Sequence, residues 1–129
     1  MEGAPEDLDR DALAAEAGNW ELADFLLHET AEHIEWAVDL QPVRQGPLGP
    51  VELEPLFQNM QDFSLKDLDR AVDARDRGRF RDAYGFVLDQ CHGCHVAVGL
   101  DQLRVQPPAG PGSQMLVMQP PSAGADEPR

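Results

Sequence analysis

Apolar residues recur along the first hundred positions at three- and four-residue intervals, without the period-two runs or Asn-Gly turns of β-hairpins. That spacing predicts helices. Residues Asp7 to Ala17 read as a helical lead-in, and Asn19 as the N-cap of a helix from Trp20 to Leu40. Within it Leu22, Phe25, Leu26, Glu29, His33, Trp36 and Leu40 share one face. Ala23, Leu27, Ile34 and Val38 form a second apolar strip beside it. An arc that wide predicts burial on more than one side.

Pro42, Gly46, Pro47, Gly49 and Pro50 interrupt the pattern and predict a loop. A short helix follows from Val51 to about Gln61, with Leu53, Leu56, Phe57 and Met60 inward and Pro55 in its first turns. Ser64 opens the next helix, with Asp67 as an acidic capping-box partner and Phe63 and Leu68 as a staple. It ends near Gly78. The last helix runs from Arg79 to about Val98, and Phe80, Tyr84, Val87, Leu88, Cys91, His95 and Val98 form its inner stripe.

Short connections between these helices predict an all-α fold, an antiparallel four-helix bundle with a Pro/Gly-rich C-terminal tail. Residues 1–18 form the lead-in, 19–99 the bundle and 100–129 the irregular tail. The tail is rich in Pro, Gly, Ser and Gln, a composition that packs poorly. Met115-Leu116-Val117-Met118 is an apolar island within it.

The chemistry is concentrated in Cys91-His92-Gly93-Cys94-His95, a C-x-x-C-H run that uses both cysteines of the chain. This pattern reads as covalent attachment of one haem c. Two thiols three residues apart on a helix can each add to a haem vinyl group, and His95 supplies the proximal iron ligand. C-x-x-C alone also suits a redox dithiol or half of a zinc site. The dithiol reading lacks a βαβ setting, and the zinc reading has only His28 and His33 to add. His92 points off the stripe and reads as solvated.

The residues Leu68, Ala71, Val72, Asp76, Phe80, Ala83 and Tyr84, leading into Cys91-x-x-Cys94-His95, resemble the last two helices of the cytochrome c prime family. The resemblance covers residues 64–98. It implies a four-helix bundle that carries its haem on the last helix. It also implies either electron transfer or the binding of nitric oxide or carbon monoxide at an open sixth site. Val96-Ala97-Val98-Gly99 stands where the family usually has an aromatic and a basic residue after the motif.

The distal side follows from register. With Trp20 opposite the end of the last helix, His95 lies level with about Ala23. Leu22, Phe25 and Leu26 are then expected to line the haem. His33 falls ten residues further on, about 15 Å away, and reads as a core histidine near Glu29. Met115 or Met118 is the candidate sixth ligand if the tail folds back; otherwise the tail lies over the bundle or stays disordered. Arg104 is a weak candidate for the haem propionates, and the arginines at 75, 77, 79 and 81 sit at the other end. Trp20 and Trp36 read as packing residues.

Composition adds a strong sign. With 24 acidic and 10 basic residues, the net charge is −14. That disfavours nucleic acid and anionic membrane surfaces and favours a redox partner with a basic surface. No apolar run reaches the roughly 20 residues of a membrane span, and a homodimer is compatible with the pattern. No signal peptide is visible; because haem attachment of this kind normally takes place outside the bacterial cytoplasm, the expectation is a processed, periplasmic chain whose Met1 is a cloning residue. No carboxylate pair reads as a catalytic dyad. The expected function is single-electron transfer by a monohaem c-type cytochrome, not catalysis. The alternatives are a gas binder or sensor, or the haem subunit of a larger enzyme.

Overall fold

Helix follows helix from residue 4 to residue 97, broken by one small hairpin, in a computed structural model. The structure describes residues 4–103, 107–108 and 120, with side chains from Asp7 onward. The elements are α1 (Ala4–Glu16), α2 (Trp20–Leu40), β1 (Val43–Gly46), β2 (Gly49–Glu52), α3 (Leu53–Asp62), α4 (Ser64–Ala74) and α5 (Arg77–Ala97).

Local chemistry sets the helix ends. Gly18, at φ +77°, ends α1. Asn19 N–H then bonds back to Ala14 O at 2.8 Å and Gly18 N–H to Ala15 O at 3.0 Å. This is a Schellman closure. The Asn19 side chain caps the next helix by accepting from Leu22 N–H at 3.3 Å. Asp76, rather than a residue at Gly78, caps α5, accepting from Arg79 N–H at 3.0 Å. The preceding helix stops at Ala74 because Arg75 turns left-handed, at φ 52°. Ser64 is the first helical residue instead of the cap, and its hydroxyl donates to Gln90 on α5. Asp67 pairs with Arg70 at 3.3 Å, and Phe63 stays 63% exposed instead of closing over Leu68.

The lead-in is part of the core. Leu8, Ala12, Leu13, Ala14 and Ala15 are buried, and α1 packs on α2 and α5. On α2 the buried face is the strip containing Ala23, Leu27, Ile34 and Val38, joined by Leu26 and Thr30. Phe25, Trp36 and Leu40 remain exposed, so only one side of this helix is covered. Leu68 and Val87, both 0% exposed, fill the core from α4 and α5.

The predicted loop at 42–50 is a two-stranded antiparallel hairpin with Gly46 opposite Gly49 and Gln45 opposite Pro50. Leu53 N–H closes its base on Pro42 O at 2.8 Å. A two-stranded sheet has only edges, so Pro50 displaces no ladder partner on its outer side. The turn Pro47-Leu48 lies outside the Asn-Gly signals on which hairpin expectations rest.

The expected register is overturned. Trp20 meets Phe80 edge-to-face, with ring centroids 6.2 Å apart, at the start of α5 instead of its end. The contacts of α1 explain this. Arg81 pairs with Glu16 at 2.6 Å and Tyr84 hydroxyl donates to Leu8 O at 3.2 Å, so α1 lies along α5 in reverse order. Asp7 likewise meets His33 while Ala14 meets Asn19, so α1 lies along α2 in reverse order too. Counting α1 as a packed helix therefore makes α2 and α5 start together.

Arg75 holds a left-handed conformation that costs an L side chain about 1 kcal/mol or more. Its side chain is exposed. Arg75→Gly is expected to raise the unfolding free energy by about 0.5–1 kcal/mol. A higher urea midpoint at unchanged slope checks it; a lower midpoint would show that the arginine itself contributes.

Candidate haem site

The C-x-x-C-H run occupies the last turns of α5, which reaches this end as the continuation of its buried stripe. Phe80, Tyr84, Val87 and Leu88 anchor the helix in the core, and Cys91 is the next buried position, 7% exposed. Cys94 and His95 flank it and are half-buried. Burial, and then the neighbouring Cys94, push the Cys91 thiol up to about 11. Burial also raises Cys94. Cys94 also lies in the last turn of α5, where the macrodipole disfavours a thiolate.

These two features bear on the competing readings. Reactive dithiols are activated at helix N-termini or beside cations; here position and burial act in the opposite direction. Zinc needs converging donors. Among the described residues, the only three donors that converge lie elsewhere, on Asp24, His28 and Asp69. Haem attachment requires no convergence, because the thiols and the imidazole act on different atoms of the group.

The His95 ring is held by the chain that follows the helix. Gly99, at φ +79°, closes α5 with a second Schellman pair: Leu100 N–H to His95 O at 2.7 Å and Gly99 N–H to Val96 O at 3.0 Å. The reversed chain brings the Leu103 carbonyl to His95 Nδ1 at 2.6 Å. A carbonyl only accepts, so Nδ1 carries the proton and Nε2 keeps its lone pair. Such a bond fixes both tautomer and ring orientation in ligating histidines. The residues present therefore fit a haem whose iron takes Nε2 of His95.

The hairpin forms a further wall. A Cβ on Gly46 would run into the Ala97 carbonyl, so β1 lies directly on the last turn of α5. One on Gly99 would lie 3.4 Å from Pro47. Leu48 at the hairpin tip is fully exposed, and Val96 and Leu103 beside His95 are 45% and 47% exposed. These are apolar groups that a planar apolar cofactor would cover.

The expected distal residues are not at this end. Leu22, Phe25 and Leu26 lie near Trp20, which meets Phe80. His95 is fifteen residues beyond Phe80, roughly 22 Å along the helix. Leu26 is a core residue, and Phe25 is 58% exposed. His33, one turn from Glu29 on α2, pairs with Asp7 at 2.7 Å and packs on Trp36. His92 is half-buried, and its Nδ1 is shielded without a hydrogen-bond partner, against the solvated position expected. Arg104, Met115 and Met118 lie outside the described residues. The Leu103 carbonyl and the hairpin wall were not expected. Gly99 after an apolar stripe was the one available sign of the first, as a C-terminal stop signal.

Comparison with protein-family profiles, curated proteins and solved structures finds no match to this chain.

A thiol at about 11 is ionised at pH 7 to roughly one part in ten thousand, against a few per cent for a free cysteine. In the haem-free full-length chain, iodoacetamide is therefore expected to label Cys91 roughly 300-fold more slowly than a free thiol at pH 7. The rate should climb about tenfold per pH unit toward pH 11. Labelling followed by peptide mass analysis checks it; a free-thiol rate at pH 7 would contradict the buried position.

Proposed function

We propose that the chain is a monohaem c-type cytochrome that passes single electrons, built as a four-helix bundle of α1, α2, α4 and α5. The observation that carries this reading is the C-x-x-C-H run together with the Leu103 carbonyl that leaves Nε2 of His95 available. Cys91 and Cys94 would hold the haem through thioethers, each S–H adding across one vinyl group so that no oxidant is consumed, and Nε2 of His95 would ligate its iron. When bound, the haem supplies a one-electron ferric–ferrous couple. The protein's part is to orient His95, exclude water with Leu48, Val96 and Leu103, and present an acidic surface. The same reading puts the chain in the periplasm, where thioethers of this kind are formed.

The alternative, a binder of nitric oxide or carbon monoxide, is favoured by one observation. His33 is held by Asp7 and Trp36, and Met60 is 6% exposed in the core, so neither is free to reach iron. Protein ligation of the sixth position then falls to the tail methionines. Without them the position is open to gas.

Acid-acetone extraction of the purified protein is expected to leave a mass higher than the polypeptide by one haem. Haem that washes out, with both thiols alkylatable, would overturn the proposal. The ferric spectrum of the same sample separates the two readings: low-spin for a protein sixth ligand, high-spin for an open site.

The net charge of −14 points to a partner with a basic surface. Electron exchange with such a protein is expected to slow as salt rises, because charges are screened beyond about 10 Å at 0.1 M. Stopped-flow rates independent of ionic strength would remove that partner class.

A further inference from the structure

A second cluster of donors lies between α2 and α4. Asp24 and His28 stand one turn apart on α2, and Asp69 faces them from α4. One donor atom of each lies within 4.8 Å of the others, the only such convergence of three among the described residues. His28 Nδ1 donates to the Asp24 backbone carbonyl at 2.8 Å. The same nitrogen lies 3.5 Å from Asp24 Oδ1, and in the Nδ1–H tautomer Nε2 is the ring nitrogen that can ligate. The Asp24 and Asp69 carboxyls face each other across the two helices, with donor atoms within 4.8 Å. Two carboxylates so placed repel unless a proton or a cation lies between them.

An independent observation comes from α1. Asp11 is 0% exposed, and neither of its carboxylate oxygens has a hydrogen-bond partner. It faces Asp24 electrostatically. Nothing in the core compensates this group, which a fold keeps only at a cost. Ligating carboxylates are themselves commonly held by polar groups of an outer shell. A cleft of about 280 Å³ opens over the cluster, with His28, Gln61, Lys66 and Asp69 on its walls. Lys66 is exposed and is the only cation on the wall.

We propose that Asp24, His28 and Asp69 bind a divalent transition-metal ion of the zinc class that ties α2 to α4, with Asp11 as the supporting carboxyl behind Asp24. The donor set selects the class. One imidazole and two carboxylates suit zinc and its neighbours, whereas magnesium and calcium prefer oxygen alone. Three protein ligands leave a fourth tetrahedral position for water. The site is separate from the C-x-x-C-H run. Asp69 lies five residues along α4 from Ser64, the residue that meets Gln90 on α5.

Zinc chloride titrated calorimetrically into the full-length protein as purified is expected to bind with one equivalent per chain and to raise Tm. Magnesium chloride should do neither. His28→Ala and Asp69→Asn are expected to weaken zinc binding by more than roughly 100-fold, and Asp11→Asn by about 10- to 100-fold. His28 is exposed, so its variant should unfold in the absence of zinc at the wild-type temperature, and it decides the matter if Asp11→Asn does not fold. Absence of zinc binding, equal binding of magnesium, or binding unchanged in His28→Ala and Asp69→Asn would each overturn the site. The last outcome would place the ion on other donors, such as Cys91 and Cys94.

Discussion

Burial of one stripe on α5 is the constraint on which the rest depends. Phe80, Tyr84, Val87, Leu88 and Cys91 leave water together, and each lies under 10% exposed. Apolar burial of this kind is worth roughly 1.5–3 kcal/mol for each large side chain, so the helix cannot rotate without exposing several of them. Its rotation sets where Cys94 and His95 point. The first thiol is thus a core residue and a candidate-site residue at once, and its suppressed ionisation is the electrostatic mark of its burial.

The ends of α5 translate this rotation into position. Asp76 caps its start, and Arg77 and Arg81 fasten the same end to Ala15 and Glu16 of α1. Gly99 reverses the chain at the other end and carries Leu103 back to His95. The hairpin then closes on the last turn, where only a glycine at position 46 allows strand and helix to approach so nearly. The apolar groups left exposed around this end sit where a covalently held cofactor would cover them, which supports the proposed cytochrome. The candidate metal cluster draws on the other two partners of the core, α2 and α4, and on Asp11 beneath them.

Much of this was legible along the chain. The 3.6-residue period located α2, α4 and α5, and Asn19 and the inner stripe of α5 stand where the period and capping chemistry put them. The hairpin was not legible, because its strands are four residues long and its turn is Pro-Leu, without the residues that announce a two-residue turn. The Ser64 cap failed because tertiary contact with Gln90 offered the hydroxyl a better partner than its own helix. The register failed for a larger reason. Treating residues 1–18 as a lead-in removed one helix from the count and reversed the direction in which α2 lies beside α5.

The sequence by itself determined the mostly helical fold, the net acidic charge and the C-x-x-C-H run at the end of the last helix, because helical period, charge and residue spacing are local properties. Tertiary structure alone decided which face of α2 is buried, which residues meet across helices and what holds His95. Those depend on contacts between residues far apart in the chain, such as Tyr84 with Leu8, Trp20 with Phe80 and Asp69 with Asp24. No local pattern encodes them, because each is fixed by how every apolar stripe is satisfied at once.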